Sequence, residues 1–99
     1  MSRPRYVVRM SLRALQHLED VGDRIAIDNP ENARDFIREL LEHIQSLSEY
    51  PLRCPPAQEG TRRGRQLRQL VVGSYRIVFS VREKVVMVYS VKHGARRVE

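Results

Sequence analysis

The sequence predicts an α+β domain in the order β-α-α-β-β-β, with a helical hairpin packed on one face of a small antiparallel sheet. Two periodicities support this prediction. Apolar residues recur every three or four positions between residues 11 and 47, which is typical of amphipathic helices. They recur at every second position in residues 75–81 and 85–91, which is typical of strands. Because the chain has 99 residues, we expect one domain over residues 1–99 with a modest core.

The first half of the chain predicts a short strand and two helices. Residues 6–9 are β-prone, and Ser11 is a candidate N-cap for a helix that stops near Asp28. Asn29 and Pro30 supply an N-cap and a first-position proline for the second helix. So short a connection predicts an antiparallel helical hairpin whose apolar stripes cover the sheet. The first stripe contains Leu12, Leu15, Leu18, Val21 and Ile25, and the second contains Ala33, Phe36, Ile37, Leu40, Leu41, Ile44 and Leu47.

Residues 51–64 predict an exposed loop, because they contain three prolines, two glycines and few apolar residues. We expect Cys54 to be an incidental loop thiol, and Glu59 is a possible loop carboxylate that nothing in the sequence marks out. The loop ends in a basic cluster, before a strand around residues 67–72. Its arginines suit phosphate binding, or they form a solvated surface. The cluster contains Arg62, Arg63, Arg65 and Arg68.

Residues 75–91 predict a β-hairpin. If residues 82–84 form a three-residue turn, Val81 pairs with Val85 and the odd-numbered residues of both strands share one buried face. The even-numbered face then sets Arg76 beside Ser90 and ends at Lys92. It also carries three valines, so we expect an uncovered face that is partly apolar and rimmed by charge. These valines are Val78, Val86 and Val88.

Composition limits the classes of function. The chain has 18 Lys and Arg against 12 Asp and Glu, a net charge of +6, which favours a phosphate backbone or an acidic protein as partner. We expect a cytoplasmic protein without membrane contact, since no segment approaches the roughly 20 apolar residues of a membrane span and the first residues do not form a signal peptide. The single cysteine, the absence of zinc-ligand spacing and the lack of a phosphate-binding glycine loop predict no metal and no cofactor.

The order and spacing of several segments resemble the RelE/ParE superfamily of bacterial toxins, and ParE-like members in particular. The resemblance implies the toxin of a type II toxin-antitoxin system, which inhibits growth, is associated with plasmid stabilization and is neutralised by a cognate antitoxin. It also implies a strand, two helices and a three-stranded antiparallel sheet. The matching segments are Asn29 and Pro30, then Ala33, Phe36, Leu40, Ile44 and Leu47, the proline loop, residues 68–79, and residues 91–96.

Two mechanisms occur in this superfamily. RelE-like members cut mRNA on the ribosome, whereas ParE-like members poison DNA gyrase and are not nucleases. RNA cleavage needs a base, cations and an acid held together, which here would be His93 with Arg76 and Arg96. Many RelE-like ribonucleases carry a catalytic tyrosine or histidine shortly after the last arginine, and residues 97–99 offer none. We therefore favour a gyrase poison and keep the ribosome-dependent endonuclease as the alternative.

Target and antitoxin are expected to use the even-numbered sheet face and the basic residues around it. For the antitoxin we predict Val78, Val86 and Val88. A simple nucleic-acid-binding module fits less well, because Tyr75, Phe79 and Tyr89 are expected in the core and the helices carry mixed charge. We expect His17 and His43 to be solvated. The predicted target-binding residues, expected along one side, are Arg68, Arg76, Lys92, Arg96 and Arg97.

Overall fold

The computed structural model describes residues 5–94, which form two helices against one five-stranded sheet. The strand order is β1-β5-β4-β3-β2, with β1 parallel to β5 and the other neighbours antiparallel. The α+β class is confirmed, but the sheet is mixed and gains a strand that the sequence did not predict. The elements are β1 (Val7–Met10), α1 (Leu12–Asp28), α2 (Pro30–Gln45), β2 (Pro56–Arg62), β3 (Arg65–Val72), β4 (Tyr75–Arg82) and β5 (Val85–His93), with short 3-10 turns at Ser46–Ser48 and Pro51–Arg53.

Both helices begin where the sequence predicts. The Ser11 side chain accepts the Ala14 N–H and the Asn29 side chain accepts the Asn32 N–H, each at 3.0 Å. The apolar stripe of α1 is rotated from the prediction, because the small Ala14 is fully buried while Leu12 is 84% exposed. Neither helix among residues 5–94 is long and apolar enough to span a membrane.

The main core lies between the helical hairpin and the sheet. α1 packs on β5 and α2 packs against α1, so apolar side chains of both helices and of the central strands meet in one core and exclude water. The fully buried or nearly buried members are Ala14, Leu18, Val21, Leu40, Ile44, Leu47, Cys54, Val72, Tyr75, Ile77, Phe79, Val86, Val88 and Val91.

The register of the β4–β5 hairpin differs from the prediction at two points. Arg82 pairs with Val85, so the turn has two residues instead of three. A β-bulge follows, since Phe79 pairs with Val88 while Val78 pairs with Ser90, which leaves Tyr89 as the extra residue. The shorter turn and the bulge each shift the pairing of β4 with β5 by one residue. Together they restore the predicted parity beyond the bulge, where Arg76 pairs with Lys92 instead of Ser90.

This register overturns the predicted apolar face. Between the turn and the bulge, the even-numbered residues of β5 face the helices, and Val86 and Val88 are completely buried in the main core. Val78 faces the other way but is only 2% exposed, because Ala57, Leu67 and Tyr89 cover it. None of the three valines forms the exposed patch that the sequence predicted.

Residues 56–62 form the edge strand β2, so the predicted exposed loop is wrong over this range. β2 turns back into β3 through Arg63 and Gly64, with Arg62 paired to Arg65. The prolines suggested a loop, but proline is tolerated in an edge strand, where its missing N–H is not needed for strand pairing. Cys54 is also buried, contrary to expectation, and desolvation raises the pKa of its thiol despite nearby Arg53 and Arg68.

Candidate functional site

The sheet face turned away from the helices, here called the outer face, carries most of the polar residues of interest. Strand alternation and the β4–β5 register place Arg76 and Lys92 on it. A small apolar cluster of Ala57, Leu67 and Val78 occupies its centre. The outer face is therefore divided between a charged cluster at one end and an open region around Tyr89.

The charged cluster is centred on Glu59, which holds two cations. The Arg76 guanidinium donates from Nη1 to Oε1 at 3.0 Å and from Nη2 to Oε2 at 2.8 Å, and Lys92 Nζ donates to Oε2 at 2.9 Å. Arg76 Nη1 also donates to Gln69 Oε1 at 2.9 Å. Arg76 is only 6% exposed, and its Nε has no hydrogen-bond partner within residues 5–94. The Arg76 guanidinium is thus buried and held by Glu59 and Gln69 within the fold.

The same contacts shift two pKa values in opposite directions. Hydrogen bonding from Arg76, helped by Lys92, lowers the pKa of Glu59 from 4.5 to about 2, although desolvation opposes the shift. Hydrogen bonding to Glu59 raises the pKa of Arg76. No sequence pattern marked Glu59, because its role depends on residues 56–62 being a strand beside β3.

Arg68 lies on the other face of the sheet, contrary to the expectation that the basic residues share one side. It pairs with Phe79, which faces the helices, whereas Arg76 pairs with Val71. Its Nη1 donates to the Cys54 carbonyl at 2.7 Å and so anchors the segment before β2. Arg96 and Arg97 lie outside the described residues.

His93 and Arg76 are not brought together. His93 pairs directly with Tyr75, whose ring it meets edge-on at 5.0 Å between centroids, on the helix side of the sheet. Arg76 and Lys92 are the next pair, and successive pairs point to opposite faces. The described members of the predicted catalytic set are therefore separated by the sheet.

The other two histidines differ from each other. The Val91 backbone N–H donates to His17 Nδ1 at 3.1 Å, so His17 ties α1 to β5 and is not merely solvated as predicted. His17 and His93 both line an open pocket of about 170 Å³, together with Tyr75 and Val91. His43 Nδ1 lies 2.9 Å from the Glu39 carbonyl on the exposed side of α2.

Tyr89 is not the helix-side core residue that its parity predicted. As the extra residue of the bulge it turns to the outer face, where it is half-buried and its hydroxyl accepts a hydrogen bond from Ser80 Oγ at 3.3 Å. The Arg62 guanidinium lies 4.6 Å from its ring centroid. Within residues 5–94, no three His, Cys, Asp or Glu side chains are grouped as metal ligands.

The fold is one found in solved toxin-antitoxin systems. The chain is similar to a chromosomal ParDE system from P. aeruginosa, with a TM-score of 0.74 and 15% identity over 90% of this chain and 96% of that one. It is also similar to the RelBE2 toxin-antitoxin complex from Mycobacterium tuberculosis, with a TM-score of 0.64 and 23% identity over 96% and 98% of the two chains. An archaeal RelE-RelB complex from Pyrococcus horikoshii gives a TM-score of 0.63 at 18% identity, over 93% and 98%.

The sequence identifies the family. Residues 8–98 match the ParE toxin of type II toxin-antitoxin systems. This match spans most of the chain, so the protein belongs to the ParE toxin family, and the predicted place in the RelE/ParE superfamily, nearer to ParE, is confirmed. A comparison with curated protein sequences gives no match.

Proposed function

We propose that this protein is a growth-inhibiting toxin that acts on DNA gyrase without cutting RNA, and that a cognate antitoxin neutralises it. The observation that carries the proposal is the match of residues 8–98 to the ParE toxin family. The net charge of +6 favours an antitoxin with an acidic binding segment.

The placement of the cations supports a gyrase poison over a RelE-like nuclease. A general acid or base must reach the reacting phosphate together with the cations that stabilise it. Here the Arg76 guanidinium is bound by Glu59 and Gln69, and His93 lies on the opposite face. A phosphate on either face would meet only one member of this pair.

The hydrogen bonds of the basic residues reduce the number of residues that we propose for target binding. Arg68 and Arg76 stabilise the fold, through the Cys54 carbonyl and Glu59 respectively. Lys92 is more accessible, because its side chain is 43% exposed. In the sequence it is close to Arg96 and Arg97. We assign target contact to Lys92, Arg96 and Arg97.

A supercoiling assay tests the target. Purified full-length toxin added to gyrase and relaxed plasmid should inhibit supercoiling and accumulate cleaved DNA. The Arg96→Ala/Arg97→Ala variant should inhibit less at equal concentration. The matched control Arg34→Ala/Arg38→Ala removes the same charge from α2 and should inhibit like the parent.

Expression in cells separates the two mechanisms. A gyrase poison should block replication and trigger a DNA-damage response while translation continues at first. Codon-linked cuts in ribosome-bound mRNA would instead establish the RelE-like alternative. His93→Ala would then lower the cleavage rate by roughly 10²-fold if His93 is the general acid or base.

A further inference from the structure

The open region of the outer face is a trough with Tyr89 at its centre. It consists of two adjoining clefts, of about 530 Å³ and about 380 Å³, and both are lined by Met87 and Tyr89. Arg13 and Arg62 line the first cleft, and Arg65 and Arg82 line the second. The Tyr89 trough therefore has a half-buried floor between two pairs of arginines.

The charges around this trough are strongly one-sided. Arg9 pairs with Met87 in parallel register, so its side chain lies on the same face. Glu83 is the acid that lines the trough within residues 5–94. The first turn of α1, which begins beside the first cleft, contains no acid to offset the partial positive charge of the helix end. The trough is thus a basic surface whose cations differ from Arg76 in being available to a ligand.

We propose that the Tyr89 trough binds a single-stranded nucleic-acid segment. Arginines bind phosphate oxygens bidentately, and a basic groove with an aromatic ring is the combination that holds single strands. Tyr89 supplies the ring, and the Ser80 hydrogen bond at 3.3 Å fixes its orientation. The Arg62 guanidinium lies over the ring, 4.6 Å from its centroid, so a base can stack on the guanidinium that the ring supports while the phosphates of the strand contact the other arginines. The proposal goes beyond the assignment of gyrase and does not depend on it.

Sheet topology favours a nucleic acid over an acidic peptide. Extended peptides gain much of their affinity by adding a strand to a free sheet edge. The trough floor is built on β5, which pairs with β1 on one side and with β4 on the other. Residues 85–88 of β5 have a neighbouring strand on both sides and offer no free sheet edge to a peptide, whereas a stacked base and a phosphate need only side chains.

Fluorescence anisotropy with a labelled single-stranded oligodeoxythymidine of about 20 nucleotides tests the proposal on the full-length protein. Arg62→Ala/Arg82→Ala should weaken binding at least tenfold. It should also reduce the slope of log K against log salt by about 1.4, since each phosphate contact on a single strand contributes about 0.7. Arg34→Ala/Arg38→Ala on α2 removes the same net charge and should change binding by no more than about twofold.

Tyr89 provides an independent test of stacking. Tyr89→Leu should weaken binding about tenfold, whereas Tyr89→Phe should bind like the parent because the ring is kept. Thermal unfolding checks that each variant is folded. If Tyr89→Leu does not fold, the comparison of the two arginine pairs decides the proposal.

Three outcomes would overturn the inference. The first is equal weakening by the trough pair and the α2 pair, which would indicate net charge alone. The second is displacement of the labelled strand by poly-glutamate as readily as by unlabelled oligonucleotide, which would indicate an acidic peptide. The third is tighter binding of duplex than of single strands. An oligoribonucleotide arm distinguishes RNA from DNA as the strand that the trough prefers.

Discussion

The two faces of the sheet are stabilised in different ways. On the helix-covered face, Phe79, Val86 and Val88 are completely buried among apolar neighbours. On the outer face the most buried charge, Arg76, is held by Glu59 on the edge strand β2. Hydrophobic burial is indifferent to protonation, whereas this ion pair requires an ionised carboxylate. The outer face is therefore where acid should act on the stability of this small domain.

The first prediction concerns the helix-covered face and has the largest expected effect. Val88→Asp should lower the free energy of unfolding by more than about 4 kcal/mol, because it places an unpaired carboxylate in the main core. Circular dichroism should show an unfolded chain. Val7→Asp is the control, since Val7 is 54% exposed on β1, and it should cost no more than about 1 kcal/mol. A cooperatively folded Val88→Asp variant would show that β5 does not have this register.

The second prediction concerns the outer face. Glu59→Gln should lower the free energy of unfolding by about 2 kcal/mol at neutral pH, because it removes charge-assisted bonds and leaves Arg76 buried with Gln69. Urea denaturation measures the loss. Glu42→Gln, on the exposed side of α2, is the matched control and should stay within about 0.5 kcal/mol of the parent. Equal losses in the two variants would contradict a stabilising role for the Glu59 cluster.

The third prediction is the pH dependence of that contribution. The pKa of Glu59 is lowered from 4.5 to about 2 in the folded protein, so its stabilisation is complete above pH 4.5. It should be lost as the pH falls from 4.5 toward 2. The difference in unfolding free energy between the parent and Glu59→Gln should shrink over this range, since the other carboxylates titrate in both proteins. A difference independent of pH would refute the assigned direction.

The fourth prediction has the smallest expected effect. It separates the contribution of Lys92 from that of Arg76 within the charged cluster around Glu59. Lys92→Ala should lower the free energy of unfolding by no more than about 0.5 kcal/mol, because a pair whose lysine is 43% exposed is screened by solvent. High salt should remove the effect. A loss as large as that of Glu59→Gln would mean that Lys92, and not the buried Arg76, is the main partner.

Features set by neighbouring residues could be read from the sequence. Ser11, Asn29 and Pro30 were placed correctly as helix starts, because a cap is satisfied within three residues of itself. The helical hairpin, the β3–β4 link at Gly73 and the existence of the β4–β5 hairpin follow from equally local signals. The family resemblance rests on the same local segments in order.

The candidate sites depended on contacts between distant residues. Arg76 and Glu59 are 17 residues apart, and they meet only because residues 56–62 pair with β3 at the sheet edge. The alternating pattern of residues 85–91 correctly predicted a strand. Because apolar residues occur on both faces of that strand, the pattern allowed more than one register with β4. The sequence therefore did not predict which valines would be buried or that Tyr89 would face outward.

By itself, the sequence determined the fold class, the two helices with their caps, a strongly basic surface and the similarity to ParE toxins. The tertiary structure decided the rest: the β5 bulge, the β2 edge strand, the sheet face on which each arginine lies, and whether its guanidinium is bound within the fold. The physical reason is the range of the interactions. Caps and periodicity act over one or two turns, whereas strand pairing and buried ion pairs are set by packing across the whole domain.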